Sequence, residues 1–150
     1  MTEEQITKAI LTWLERVGWN IVCYDFPQSG TGVSLHPNFS TGVTKNRGAI
    51  IPDIVAIKSE KVIFFENKDH FVLSDLHKLS RLRESGEYSN AINKLLDGFK
   101  YEKIFYGIGI PLSDNSKRKI VEDIDKIDFA VLVSEDKLVS VQYQKESIFT

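Results

Sequence analysis

Cysteine is nearly absent from this chain. Cys23 stands alone, which excludes an internal disulfide and a cysteine-built zinc site. It lies in the apolar run Trp19–Tyr24 with no basic residue at a meaningful spacing, so it reads as a small core residue and not as a nucleophile. No apolar run is long enough to cross a bilayer, and the polar, acidic start Thr2-Glu3-Glu4-Gln5 is unlike a signal peptide. The expectation is a cytoplasmic chain with no membrane partner. A Gly-x-Ser-x-Gly elbow and a Walker-type phosphate loop are both missing. Gly30-Thr31-Gly32 lacks the third glycine of a dinucleotide fingerprint, with Leu35 standing there instead. Positive charge is not in excess either: 19 Lys and Arg stand against 21 Asp and Glu, without the basic surplus of many nucleic-acid binders.

What is present is organised around two apolar runs. Pro52-Asp53-Ile54-Val55-Ala56-Ile57 and Val62-Ile63-Phe64-Phe65-Glu66-Asn67-Lys68 flank the polar break Lys58-Ser59-Glu60-Lys61. Their length, their β-branched and aromatic content and the break between them predict a β-hairpin. A turn centred on Ser59-Glu60 pairs Ile57 with Val62 and Val55 with Phe64. The same register sets Asp53 opposite Glu66, and such neighbours have Cβ atoms about 4.5–5.5 Å apart. Lys68 shares the face of Glu66 because side chains alternate with period two. Two carboxylates and an ammonium therefore converge at the end of an apolar hairpin. Carboxylates that close raise each other's pKa unless positive charge sits between them. A hard divalent cation such as Mg²⁺ suits oxygen ligands of this kind. The arrangement points to phosphodiester hydrolysis; the competing reading is a set of solvated strand ends of little energetic weight.

The remainder reads as one domain, 1–150, with ordinary charged and apolar fractions. Thr2-Glu3-Glu4-Gln5 forms a capping box ahead of a helix whose stripe is Ile6, Ala9, Ile10, Trp13, Leu14 and Val17, with Gly18 as its stop. Trp19–Tyr24 reads as a strand. Residues 27–48 are rich in Gly, Ser, Thr, Asn and Pro and contain no Asp or Glu, but carry His36, Asn38, Lys45 and Arg47. A long loop of that composition leading into the hairpin suits a nucleic-acid backbone, since phosphate contacts come from Lys, Arg, hydroxyls and amides, or is a disordered or ornamental loop. His70 falls on the face of Glu66 and Lys68, within reach of a phosphate or a water, or is an ordinary polar residue beyond a strand end.

Ser74-Asp75 starts a helix that buries Leu76, Leu79 and Leu82 and turns His77, Lys78 and Arg81 outward. Ser89 caps a second, with Ile92, Leu95, Leu96 and Phe99 as its stripe. Lys103–Ile110 is a buried strand, ended by Pro111. A helix from Asp114 carries Ile120, Val121, Ile124 and Ile127 inward, and strands at 129–133 and 138–143 close the chain. This order predicts a three-layer α/β (α+β) domain: a central mixed sheet, antiparallel at the hairpin, flanked by helices.

The residues Pro52-Asp53 and Glu66-Asn67-Lys68, with twelve residues between the two acids, resemble the motif of the PD-(D/E)XK nuclease superfamily. The resemblance covers mainly residues 2–70. It implies a restriction-endonuclease-like fold, Asp53 and Glu66 as metal ligands, and Lys68 as the catalytic lysine that positions or activates the attacking water. It further implies Mg²⁺ as cofactor, with Mn²⁺ able to substitute. An additional acid from the first helix is frequent in the family, which makes Glu3 and Glu4 the candidates. The helix after the Glu-x-Lys strand often lies near DNA, which makes Lys78 and Arg81 candidates for phosphate contacts, alongside His36, Asn38, Lys45, Arg47 and His70.

The function expected is therefore a Mg²⁺-dependent DNA endonuclease, of a type II restriction-like, site-specific kind. Cutting both strands calls for two active sites, most simply a symmetric homodimer. One rival is a Holliday-junction-type resolvase, since the opening helix, Gly18-Trp19, a strand and Pro52-Asp53 also look like that group. Another is a non-catalytic DNA-binding subunit with a nuclease fold.

Overall fold

The structure is a computed structural model and describes residues 1–39 and 48–149; Lys45 and Arg47 lie outside the described residues. The chain opens as its spacing predicts. Gln5 N–H donates to Thr2 Oγ1 at 3.1 Å and the Thr2 N–H donates to Gln5 Oε1 at 2.8 Å. This reciprocal box starts α1, Glu3–Arg16. Gly18, at φ +96°, lets the chain turn out of the helix into β1, Asn20–Tyr24.

Beyond the loop come β2, Ile54–Lys58, and β3, Lys61–Asn67, the two arms of the hairpin. Ile57 pairs with Val62 and Val55 with Phe64, the register read from the two apolar runs. Ser59 and Glu60 both have positive φ, 50° and 67°, which is the two-residue turn whose twist matches that of the strands. Then follow α2, Leu73–Glu84; α3, Ser89–Leu95; β4, Lys103–Pro111; α4, Asp114–Glu122; β5, Phe129–Val133; and β6, Val139–Gln144.

The six strands form one mixed sheet in chain order, β1 to β6. β1, β2 and β3 are antiparallel neighbours, β3, β4 and β5 are parallel, and β6 returns antiparallel to β5. On one face α1 lays Ile6, Ile10 and Leu14 over Ile54, Ala56, Ile63, Phe65 and Phe129. On the other, Leu76, Leu79, Leu82, Ile92 and Ile120 of α2, α3 and α4 cover Val55, Val62, Phe64, Ile108 and Leu132. Each Val, Leu, Ile or Phe side chain among these contributes about 1.5–3 kcal/mol when fully buried. The result is the three-layer, mixed-sheet α+β architecture that the order of elements predicts.

The helices depart from the sequence reading in detail. α2 begins at Leu73, with no side-chain cap, so Asp75 lies in its first turn and is buried instead of marking the boundary. Lys78, expected on the outer side with His77, turns inward because it shares the helical row of Asp75 and Leu82. Val121 is 66 % exposed: α4 stops at Glu122, and the inward stripe passes from Ile120 to Ile127 across a single 3₁₀ turn. Phe99 lies past the end of α3 and is exposed, while Tyr88, just before it, is fully buried.

Candidate active site

The parallel strands β3, β4 and β5 end on the same side of the sheet, which is also where β2 begins. Pro52 comes just ahead of β2, where its missing N–H costs no ladder bond. The next residue, Asp53, donates its N–H to Phe65 O at 3.0 Å, and its carbonyl accepts from Asp25 N at 2.9 Å. Its carboxylate crosses to β3, where Oδ2 accepts the Asn67 N–H at 2.6 Å. Asp53 is 7 % exposed and Glu66, one residue from that contact, 4 %.

Two carboxylates are thus pinned near each other in a largely dry place. Burial, then the Glu66 charge, pushes the Asp53 carboxyl up from 3.8 to about 8, against the lowering effect of the Asn67 N–H. Glu66 is also raised, by burial first, although Lys78 pulls it the other way. Lys78 Nζ donates to Glu66 Oε1 at 2.8 Å. Burial works against the charge on Lys78, but the hydrogen bond and the charge of Glu66 outweigh it and its pKa is raised. Asp75, 6 % exposed and one helical turn before Lys78, is raised by burial as well, with the charges of Lys68 and Lys78 opposing.

Lys68 follows directly. Its N–H donates to Gly109 O at 3.1 Å, which holds the end of β3 against β4. Its ammonium lies 3.6 Å from Glu3 Oε2, both side chains being about a third exposed (31 % and 33 %). Glu4 instead pairs with Lys8 at 3.4 Å on the outside of α1. The two acids of the first helix are thereby separated: Glu3 faces the site and Glu4 does not.

Between these groups sits Asn67, fully buried. Its Nδ2 donates to Thr7 Oγ1 at 3.1 Å, which ties α1 to the end of β3 and sets Glu3 over Lys68. Gly109 makes this possible, since a Cβ there would overlap Ile10 and the Asn67 amide oxygen.

Four carboxylates (Glu3, Asp53, Glu66, Asp75) therefore gather around two ammonium groups (Lys68, Lys78), an excess of two negative charges when all four are ionised, the state that a bound cation would favour. One divalent cation would balance it. Among the described residues, no group of three or more His, Cys, Asp or Glu is placed to hold a metal by itself. Two buried carboxylates still fit Mg²⁺, which keeps several waters and is usually held by one or two carboxylates plus substrate phosphate. α1 and α2 both begin here, and the partial positive charge of their N-termini favours an anion.

The remaining residues named from sequence are placed elsewhere or otherwise engaged. His70 is exposed, its ring 2.6 Å from Asp69. Asn38 is spent on docking the loop to α3: its Nδ2 donates to Gly86 O and Ser89 Oγ, and its Oδ1 accepts the Asn90 N–H. Arg81 donates to Tyr88 Oη at 2.7 Å and stacks over the same ring. His36 lines a cavity of about 570 Å³ between residues 33–38 and α3.

Asn67, Thr7 and Asp75 escaped the sequence reading. Only Asp75 left a signal there: Asp75, Lys78, Leu79 and Leu82 fall at the i, i+3, i+4, i+7 spacing of one helix face.

No family model matches the sequence, and no curated protein matches it at a significant level. Among solved structures the chain is similar to a FdxN element excision controlling factor protein from Anabaena variabilis, 17% identical, with a TM-score of 0.44, covering 93% of this chain and 99% of that one. It is similar also to a XisH family protein from Nostoc punctiforme PCC 73102, 17% identical, with a TM-score of 0.42, covering 91% of this chain and 96% of that one. Likeness at this level says nothing about chemistry, which has to come from the side chains.

Proposed function

We propose that this chain is a Mg²⁺-dependent DNA endonuclease, a phosphodiester hydrolase of the site-specific restriction type, acting in the cytoplasm as a symmetric homodimer. The observation that carries the reading is the enforced crowding of Asp53 and Glu66, both buried, with Lys68 at their mouth. A protein that needed these strand ends only for stability would gain by neutralising one acid. Asp53 and Glu66 would hold the cation, which when bound polarises a phosphoryl oxygen and lowers the pKa of a water. Mn²⁺ fits the same oxygen ligands.

Lys68, loosely paired with Glu3, is close enough to the carboxylates to orient the attacking water or to meet charge developing on the phosphate. The water oxygen bonds to phosphorus, the bond to the 3′ oxygen breaks, and that oxygen takes a proton. The products are a 5′-phosphate and a 3′-hydroxyl.

The test is incubation with phage or plasmid DNA, with Mg²⁺ and with EDTA, beside Asp53→Ala and Lys68→Ala. Discrete bands that require metal and vanish in both variants support the reading. A smear keeps the hydrolysis and removes site specificity. If linear duplexes and four-way junctions both survive, the endonuclease reading is wrong.

A further inference from the structure

Lys78 is the group that the resemblance leaves without a role in the metal site. It comes from α2, not from the hairpin. It donates its hydrogen bond to Glu66, a carboxylate that the proposed cation needs, at 2.8 Å. The Lys78 side chain is 35 % exposed, beside a Glu66 side chain at 4 %. Asp75, one turn earlier on the same face, adds to the field that holds it there. Lys68, the lysine of the motif, lies instead against Glu3. The two lysines are therefore in different situations: one at the mouth, the other seated on a metal-ligand carboxylate.

We propose that Lys78 is a built-in counter-cation: it occupies Glu66 while the metal is absent, competes with the metal for that carboxylate, and passes to a phosphate of the substrate when the metal binds. This rests on the reading of Asp53 and Glu66 as metal ligands. A divalent ion drawn to Glu66 must approach an ammonium already in contact with it, and like charges a few ångströms apart oppose each other strongly in a site of low dielectric. The negative charge of a phosphate relieves that opposition. Metal binding and DNA binding should then favour each other, with Lys78 as the group that links them.

Calorimetric titration of the DNA-free protein with Mn²⁺ or Mg²⁺ tests this without any reading of activity. Lys78→Met removes the charge, Lys78→Gln removes it but keeps an N–H donor, and Lys78→Arg keeps it. The expected result is metal affinity raised about tenfold in the two neutral variants and close to wild type in Lys78→Arg. Thermal unfolding shows whether each variant is folded, and either neutral variant suffices. A complementary expectation is that both neutral variants cleave DNA more slowly although they bind metal more tightly. Wild-type protein that binds metal, with neutral variants that bind it equally or less tightly, overturns the proposal and leaves the nuclease reading standing. If neither wild type nor variants bind metal, and Asp53→Ala gives the same trace, both fall together.

Discussion

Two buried aspartates each stand one residue ahead of a strand of this sheet and are treated in opposite ways. Asp128, just before β5, is 4 % exposed and has its partners. Its Oδ1 accepts from Arg83 at 3.2 Å, its Oδ2 accepts from the Tyr106 N–H at 2.9 Å, and Lys145 stands 3.9 Å away. It clamps the end of α2 to the sheet. Asp53, 7 % exposed, has one N–H on one oxygen and faces a second buried carboxylate. Burial of an acid is therefore not what marks a functional site. What sets Asp53 apart, and makes it the proposed metal ligand, is burial without neutralisation, because a structural acid is paired and Asp53 is set against its own kind.

The sharpest way to break this contrast is to remove each acid in turn. Asp53→Ala should lower metal-dependent cleavage by at least about a thousandfold, since the metal's share of transition-state stabilisation is several kcal/mol. It should destabilise the metal-free protein less than Asp128→Ala does, because the loss of the Asn67 N–H partner is offset by relief of the Glu66 repulsion. A single-turnover cleavage assay and a thermal melt in EDTA check the two halves. A melting point that falls in EDTA as far as that of Asp128→Ala would place Asp53 with Asp128 as a structural acid.

The two aspartates differ next in their pH dependence. Asp53 titrates near 3.8 in the unfolded chain and is pushed up to about 8 in the folded one, by burial first and the Glu66 charge second. Between those pH values the folded state holds a proton that the unfolded state has released. Its contribution to stability is therefore full below about pH 4 and is lost as pH rises through 8. The metal-free protein should lose more stability between pH 5 and 8 than Asp53→Asn does, read from denaturant midpoints in EDTA. Mg²⁺, which favours the ionised carboxylate, should raise the midpoint more at pH 8 than at pH 5. A wild type and variant with parallel pH profiles would remove the raised carboxyl from the account.

Asp128→Ala should do the reverse of Asp53→Ala. It strands Arg83 and the Tyr106 N–H, and losing one partner of a buried ion pair costs about 3 kcal/mol. The melting point should drop by roughly 6–12 °C in a domain of this size. Cleavage per folded molecule should be unchanged below that temperature, which a circular-dichroism melt and an assay at low temperature would show.

The hairpin that carries Asp53 and Glu66 was legible in the sequence, and the helix side chains that meet it were not. Ile57 could be set against Val62 and Val55 against Phe64, with Asp53 and Glu66 at the far end, because the register of a tight hairpin follows from its turn and its period-two pattern, all within fourteen consecutive residues. Lys78 on Glu66 and Thr7 on Asn67 join elements twelve and sixty residues apart. Their meeting depends on the angle at which each helix crosses the sheet, which no local pattern encodes. A lysine beside three leucines reads as solvent-facing until a buried acid opposite draws it in. The mixed sheet and its two helical layers were legible because apolar periodicity sets them, as with Ile6, Ile10 and Leu14. Val121 shows the limit: a β-branched residue next to a buried one need not be buried, and the end of α4 decides.

The opposite end of the hairpin supplies the smallest effect and the control for the comparison. There Lys58 and Lys61 donate to the carbonyls of Val17 and Ser147, and only the Glu60 ion pair is left to solvent. Lys100 pairs with Glu60 at 3.0 Å, but the two side chains are 88 % and 36 % exposed, so the pair is worth about 0–1 kcal/mol. Ser59 and Glu60 hold positive φ without being glycine or asparagine, an unfavourable choice for this turn. The double variant Ser59→Asn, Glu60→Gly gives up the weak ion pair and relieves the backbone. It should therefore stabilise by about 1 kcal/mol, a rise of roughly 2–4 °C. Metal affinity and cleavage should not move, because this turn lies at the far end of the strands from Asp53 and Glu66. A change in metal affinity would mean that the hairpin transmits strain along its length, and that the carboxylates are held by the turn as well as by Asn67.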